Sequence, residues 1–368
     1  MKSGLCLAAL LAAAPSVVFA DALQSSAGAL TITPVLQGLD EPWGLAFLPD
    51  GSFLVTERAG QLLLVREGTA RPVAGLPEVF VEGQGGLLDV MVPADFASSG
   101  EIWLSFAAPV GEGGATAVGK GRLSDDGSRL DAFQTLFTGD AYPGGRHFGA
   151  RLVEMLDGSV ALATGDRGTG PDGLQAQDPQ LSPGKVILLD RDGAPAVSHE
   201  GWNPGFLSIG HRNIQGAALD LEGRLLTVEH GAQGGDELNA PQAGRNYGWP
   251  VISYGIDYSG DKIGEGTSKP GMEQPLHYWD PSIAPSGLMV YSGKLVPEWR
   301  GDIFFGSLNS DFLGRLDPET DAATGYAEER LSAPETGRVR DVAEAPDGAI
   351  WFLSVHDGAV YRLAPTAD

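Results

Sequence analysis

Apolar residues in this chain come in short runs, broken every few positions by a glycine-bearing turn. One unit recurs: an apolar run, a turn built on Asp-Gly or an equivalent pair, then a second apolar run. It begins at Gly44 (GLAFLPDGSFLVTERAGQLLLV), Leu87 (LLDVMVPADFASSGEIWLSFA), Ala150 (ARLVEMLDGSVALATGDRG), Gly216 (GAALDLEGRLLTVEHGAQG), Gly287 (GLMVYSGKLVPEWRGDIFFGSL) and Val339 (VRDVAEAPDGAIWFLSVHDGAVYRL). Asp-Gly and Glu-Gly between apolar runs are strong hairpin signals. The alternation in SFLVTE and AIWFLSV predicts half-buried strands. No long amphipathic helical pattern interrupts the series. Six such units predict an all-β fold, a six-bladed β-propeller of four-stranded antiparallel blades. The stretch LTITPVLQ, residues 30–37, is placed to add a strand to the last blade and close the ring. A β-sandwich or a pair of β domains would not need spacing this regular. Residues 21–368 therefore read as one propeller domain. Its longest insert, around 235–285, is rich in Gly, Tyr, Trp and Pro and reads as an ordered excursion.

Composition sharpens this picture. The chain has 368 residues, with 53 glycines and 25 prolines, which suits a turn-dense protein. Lys2, the apolar stretch LCLAALLAAAPSVV and the small-residue site VFA before Asp21 predict a secretory signal over 1–20 and export to a periplasm. No membrane span is expected in the mature chain. Cys6, the one cysteine, lies inside that signal, so no disulfide is expected. A formal charge of −24 makes nucleic acid and anionic membranes poor partners. Against that background a few arginines stand out, because an anionic ligand would need them.

The polar residues that carry chemistry sit next to strands of different repeats: Gln84 in EGQGGLLDV, His147 in GGRHFGAR, Arg212 and Asn213 in GHRNIQG, and Arg338 and Arg340 in GRVRDV. The stretch EHGAQGGDELN adds Glu229, His230, Gly231, Ala232, Asp236 and Glu237. Loops of a propeller converge around the axis, so a closed ring would gather these groups into one funnel. A histidine between arginines tends to stay neutral and keep a nitrogen lone pair.

The stretches EPWGLAFLPDG, GQGGLLD, GGRHFGARL, GHRNIQG, EHGAQGGDELN, GRNYGWP, PSIAPSG and RVRDVAEAPDG run in one order across nearly all of the mature chain. On these stretches the chain resembles the soluble quinoprotein aldose sugar dehydrogenases, six-bladed propellers that use pyrroloquinoline quinone (PQQ) and calcium. The resemblance implies that His147 is the general base for the sugar's anomeric hydroxyl, with Gln84 and Arg212 beside it in the catalytic group. It implies that Gln84, Arg212, Asn213, His230, Ser282, Asn309, Arg338 and Arg340 surround the quinone, whose three carboxylates suit guanidinium forks. Asn309 stands where relatives often carry lysine. The carbonyls of Gly231 and Ala232 are implied ligands of a catalytic calcium, and Glu237, Tyr247 and Asp257 of a second, structural one. Relatives often have proline at the place of Ala232. The implied partners are an aldose and an external electron acceptor, a quinone or a cytochrome, because the chain has no haem motif. The implied assembly is a monomer or homodimer. Two other readings are a calcium-dependent propeller lactonase, which needs acidic side chains from several blades converging on an axial metal, and a non-catalytic sugar-binding propeller.

Overall fold

The second strand of each unit decides the architecture. Phe53–Glu57, Val160–Thr164, Leu225–Glu229 and Ile303–Ser307 are buried at every position. Alternation in SFLVTE predicted one wet face, and the structure has none there. The reason is that each such strand lies between two neighbouring sheets, and a strand covered on both faces carries apolar residues on both. In the computed structural model, which describes residues 22–168, 173–318 and 326–367, six sheets of this kind form a propeller. The secretory signal expected over 1–20 lies outside the described residues. The inner strands are Pro42–Phe47, Leu87–Met91, Gly149–Glu154, Ile214–Leu219, Pro285–Val290 and Val339–Glu344. Each leads an antiparallel meander outward, and the six pack side by side in cyclic order.

Each blade-to-blade interface has its own apolar cluster. Leu64 meets Ile102 and Phe106 between blades one and two. Trp103 meets Leu162 and Phe206 between two and three, and Phe304 meets Val342 and Phe352 between five and six. The ring closes as the sequence predicted: Gly28–Gln37 pairs antiparallel with Ala359–Pro365, so the first long strand completes the last blade. The insert expected around 235–285 is more integrated than its composition suggested. Asp236–Asn239 and His277–Trp279 are the outer strands of blade four. Between them, Arg245–Asn246 adds a parallel fifth strand to blade three. Apart from the four-residue Phe96–Ser99, the described helices are single 3-10 turns. Among the described residues no helix is long and apolar enough to cross a membrane.

The axis is filled by a buried ion triad. Arg151 of the third inner strand bonds Asp89 of the second at 3.1 Å and Asp341 of the sixth at 2.9 Å. It also donates to the Gln215 carbonyl of the fourth at 2.7 Å. Asp341 takes the Leu45 amide of the first at 2.9 Å. Blade five yields space instead: a Cβ on Gly287 would lie 2.2 Å from the Asp341 carboxylate. Burial raises the Asp89 carboxyl to about 6, opposed by Arg151 and reinforced by Asp341.

Replacing Arg151 by Met strands both acids, and should cost about 3–5 kcal/mol of stability, measurable by urea denaturation. The arginine holds both carboxyl pKa values down, so the variant raises them further. A carboxyl raised in the folded state favours folding at acidic pH and loses that contribution as pH rises. The deficit should therefore grow from pH 5 to pH 8; a pH-independent deficit would show that the acids are not its source.

Candidate active site

His147 lies in the left-handed backbone region, at φ 50, which costs a non-glycine residue about 1–3 kcal/mol and needs surrounding contacts to hold it. Its N–H donates to Gln84 Oε1 at 2.8 Å. Its carbonyl accepts the Arg167 amide at 3.3 Å. Its ring Nδ1 meets Asp166 Oδ1 at 2.6 Å. Asp166 follows the second strand of blade three. Its carboxylate also takes the Gly168 amide and the Trp249 indole N–H, each at 2.7 Å. Burial alone would raise the Asp166 pKa, but the hydrogen bond and charge of His147, with Arg212 and Gly168, bring it below its ordinary value. An ionised Asp166 only accepts, so Nδ1 carries the hydrogen and Nε2 keeps its lone pair. Burial also lowers the His147 pKa; Asp166 opposes this, and Arg212 and Arg146 add to it. The ring is thus a neutral, oriented base on the wall of a 540 Å³ cavity that it shares with Asp166, Arg212 and Trp249.

A second cavity of 820 Å³ adjoins the first through Gln84, Ala232 and Tyr258, which line both. Arg338 and Arg340 project from the last blade into it. Arg340 donates to Gln215 Oε1 at 2.9 Å and Arg338 to the Leu308 carbonyl at 2.9 Å. Arg212 donates to the carbonyls of His230, at 3.2 Å, and Gly231, and lies over the Trp249 ring. Among the described residues none of these three guanidinium groups has a carboxylate within ion-pair distance. Asp341, the neighbour best placed in sequence to neutralise Arg340, is spent on Arg151. Burial, with the charges of Arg151 and Arg338, pulls Arg340 down to about 9. An acidic protein has thus concentrated unpaired positive charge in two adjoining hollows.

The glucose/sorbosone dehydrogenase family model matches residues 39–362. The chain belongs to that family. It is 38% identical over 375 residues to aldose sugar dehydrogenase YliI of Escherichia coli, covering 98% of this chain and 96% of that protein. It is 26% identical to quinoprotein glucose dehydrogenase B of Acinetobacter calcoaceticus, over 87% of this chain and 84% of that one. A crystal structure of a glucose dehydrogenase superposes with a TM-score of 0.85 at 42% identity, covering 92% of this chain and all of the other. The PQQ-bound aldose sugar dehydrogenase of Streptomyces coelicolor superposes at 0.76 and 27% identity, over 91% of this chain and 98% of that one.

In this dehydrogenase the residues singled out by sequence fall into distinct positions. Gln84, His230, Gly231, Ala232, Ser282, Asn309, Arg338 and Arg340 line the large cavity. His230 donates Nε2–H to the Pro285 carbonyl at 2.8 Å, and burial with Arg340 and Arg212 presses its pKa to about 3. The Ser282 hydroxyl turns to the Asp236 carboxylate at 2.8 Å. Asn309 reaches the Ser282 carbonyl at 3.3 Å. Asn213 is buried, its Oδ1 accepting the Gly149 amide and the Gln215 side chain. Glu237 pairs across strands with Glu229, and Asn239 donates to both carboxylates. Burial and the Glu229 charge raise Glu237 to about 8. Asn239 Oδ1 is buried with no hydrogen bond. The Tyr247 hydroxyl donates to the Ala240 carbonyl at 2.5 Å, and its ring stacks on His211. Asp257 lines the smaller cavity beside His147.

Sequence reading passed over Asp166, Trp249, Arg58 and Gln215 as site residues. Asp166 had a legible sign, an acid ending an apolar strand in ATGDRG. Asp236 takes the amides of Gly231, Ile283 and Ala284 besides Ser282, and so welds two cavity loops together. His147 should titrate below 6.5 when followed by NMR. Asp166→Asn removes the hydrogen-bonded charge that opposes this and should lower the value again, whereas Arg212→Gln should raise it. A wild-type ring titrating at or above 6.5 would overturn the neutral-base geometry.

Proposed function

We propose that this chain is a PQQ- and calcium-dependent dehydrogenase in which His147 removes the anomeric hydroxyl proton of an aldose as C1 gives up hydride, yielding the lactone. The observation that carries this reading is the pairing of a neutral, Asp166-oriented imidazole with an adjoining cavity of uncompensated guanidinium groups. When bound, the quinone supplies the hydride acceptor and calcium the Lewis acid that polarises it. The residues present fit both. Arg338, Arg340 and Arg212 lack carboxylate partners, and a polycarboxylate provides them. Ser282, Asn309, His230 and Gln84 complete the polar wall, with an amide at Asn309 instead of a cation; Asn213 is buried beside Gln215. Gly231 and Ala232 line the large cavity, and the Gly231 carbonyl also accepts the Arg212 guanidinium. Gly231 and Ala232 would hold the catalytic calcium by their backbone oxygens. Glu237, with the unpartnered Asn239 Oδ1 nearby, fits a second cation, with Tyr247 as a further proposed ligand; Asp257, grouped with them on sequence, lies instead on the His147 cavity.

The chain's own chemistry is that of a base and its orienting acid. His147 Nε2 takes the proton, and Asp166 stabilises the resulting imidazolium through Nδ1–H. Arg212, beside the ring, disfavours its protonation before substrate arrives. Trp249 closes the floor and fixes the second Asp166 oxygen. The electron acceptor is external, a quinone or a cytochrome, and the protein is exported to the periplasm as a monomer or homodimer. A metal-dependent lactonase is disfavoured by the axis itself: Asp89 and Asp341 do converge there from two blades, but on Arg151.

The test is reconstitution of the purified apoprotein with PQQ and calcium, followed by dye reduction with aldose. His147→Ala should lower kcat by about 10²–10⁴ with melting unchanged. Full turnover in that variant would remove the base assignment. Arg340→Met should weaken the quinone about 10- to 100-fold in an absorbance titration, the value of a charged hydrogen bond. Chelation of calcium should abolish turnover and be reversed by adding the ion back.

A further inference from the structure

The His147 amide, in its left-handed backbone, is held from outside blade three by the Gln84 side chain. Gln84 lies in the connection between blades one and two, within Gly83-Gln84-Gly85-Gly86. A segment so rich in glycine has much conformational freedom to lose. Backbone packing restrains part of it: the Gln84 amide donates to the Gly145 carbonyl at 2.6 Å. A Cβ on Gly145 would lie 2.2 Å from the Glu82 carbonyl, so the two loops meet with no room for side chains. The Gly85 amide donates to the Glu82 carbonyl and the Gly86 carbonyl accepts the Ala107 amide, each at 2.8 Å; a side chain ties the carbonyls of Gly83 and Gly85 together. Arg58 Nη1 donates to the Gly83 carbonyl at 2.7 Å and to the Gly85 carbonyl at 3.0 Å, the two carbonyls that flank Gln84. Its Nη2 is held by Glu41. Its backbone carbonyl accepts the Leu87 amide at 3.0 Å.

We propose that Arg58 is a positioning residue for the reaction: by clamping the carbonyls on both sides of Gln84, it fixes the side chain that holds the backbone of His147. The guanidinium also borders the large cavity. Both of its terminal nitrogens are nevertheless engaged by protein oxygens, which separates it from Arg338 and Arg340. The chain of contacts runs from Glu41 through Arg58 and the two glycine carbonyls to Gln84, and from there to the His147 amide. The kinetic consequence rests on the dehydrogenase reading; the structural one does not.

Two measurements therefore test it. In the apoprotein, exchange of the His147 amide should speed up about tenfold in Arg58→Met and stay near wild type in Arg58→Lys, whose ammonium can still reach both carbonyls. In the reconstituted enzyme, Arg58→Met should lower kcat about tenfold, with sugar KM and quinone affinity within about twofold. The acid limb of its kcat–pH profile should move upward as water reaches the imidazole. The double variant Arg58→Met/Gln84→Ala should be no slower than Gln84→Ala alone, because both act through one contact. Multiplying effects, or weakened quinone binding with unchanged His147 exchange, would overturn the proposal and make Arg58 an anion-binding group. Should Arg58→Met not fold, Glu41→Gln takes its place, with a smaller acceleration confined to the Gln84 and His147 loops; unchanged exchange there would overturn the proposal. Wild-type protein that oxidises no aldose, while the exchange result stands, would remove the dehydrogenase reading and leave the clamp intact.

Discussion

The structure depends on one arginine between two aspartates at the centre of the ring. Arg151, Asp89 and Asp341 come from three inner strands, and their hydrogen bonds reach two more. A buried triad of this kind gives little net stability compared with apolar packing, and the apolar clusters between blades supply the bulk of that. Its contribution is register. Each inner strand must present its loop at the right height around the axis, because the site is assembled from loops of different blades. The Arg151 guanidinium also lies 4.2 Å from the centre of the Trp43 ring, and Trp43 lines the large cavity. The axial triad is thus the floor on which the functional hollow rests.

Above that floor the electrostatics are divided between two regions. One holds Arg338 and Arg340, which pair with no acid among the described residues, in a chain of net charge −24. The other holds an imidazole whose hydrogen is fixed on one nitrogen by a buried carboxylate. Neither arrangement would persist without support elsewhere. The arginines are restrained by hydrogen bonds from one terminal nitrogen each to carbonyls and an amide oxygen, which do not neutralise their charge. The imidazole is restrained through its backbone as much as through its ring, and part of that backbone restraint crosses from another blade.

Much of the fold was legible from local chemistry. Asp-Gly turns and apolar runs gave six blades, and LTITPVLQ gave the closing strand, because hairpins are encoded by neighbouring residues. Burial of the second strands on both faces was not legible. SFLVTE reads the same whether one sheet or two cover it, and only the ring decides. Within the site, the motifs around His147, Arg212 and Arg338 named loops that the fold brings to two adjoining cavities. Asp166 was missed because its partner lies nineteen positions earlier, and no local pattern reports which acid a histidine will meet. Arg340 next to Asp341 invited an ion pair that does not form, because neighbours along a strand point to opposite faces. Asp257 was grouped with Glu237 and Tyr247, and its place on the His147 cavity follows from the path of the insert, which its composition does not encode.

The closing strand has a consequence for biogenesis. Gly28–Gln37 finds its partner in Ala359–Pro365, so two segments far apart in sequence must both be present before the last sheet is whole. The other meanders draw on neighbouring stretches, but the sixth joins remote ones. Arg338 and Arg340 belong to that sixth blade. Arg212 precedes the inner strand of blade four, so two of the three uncompensated guanidinium groups depend on ring closure for their place and one does not.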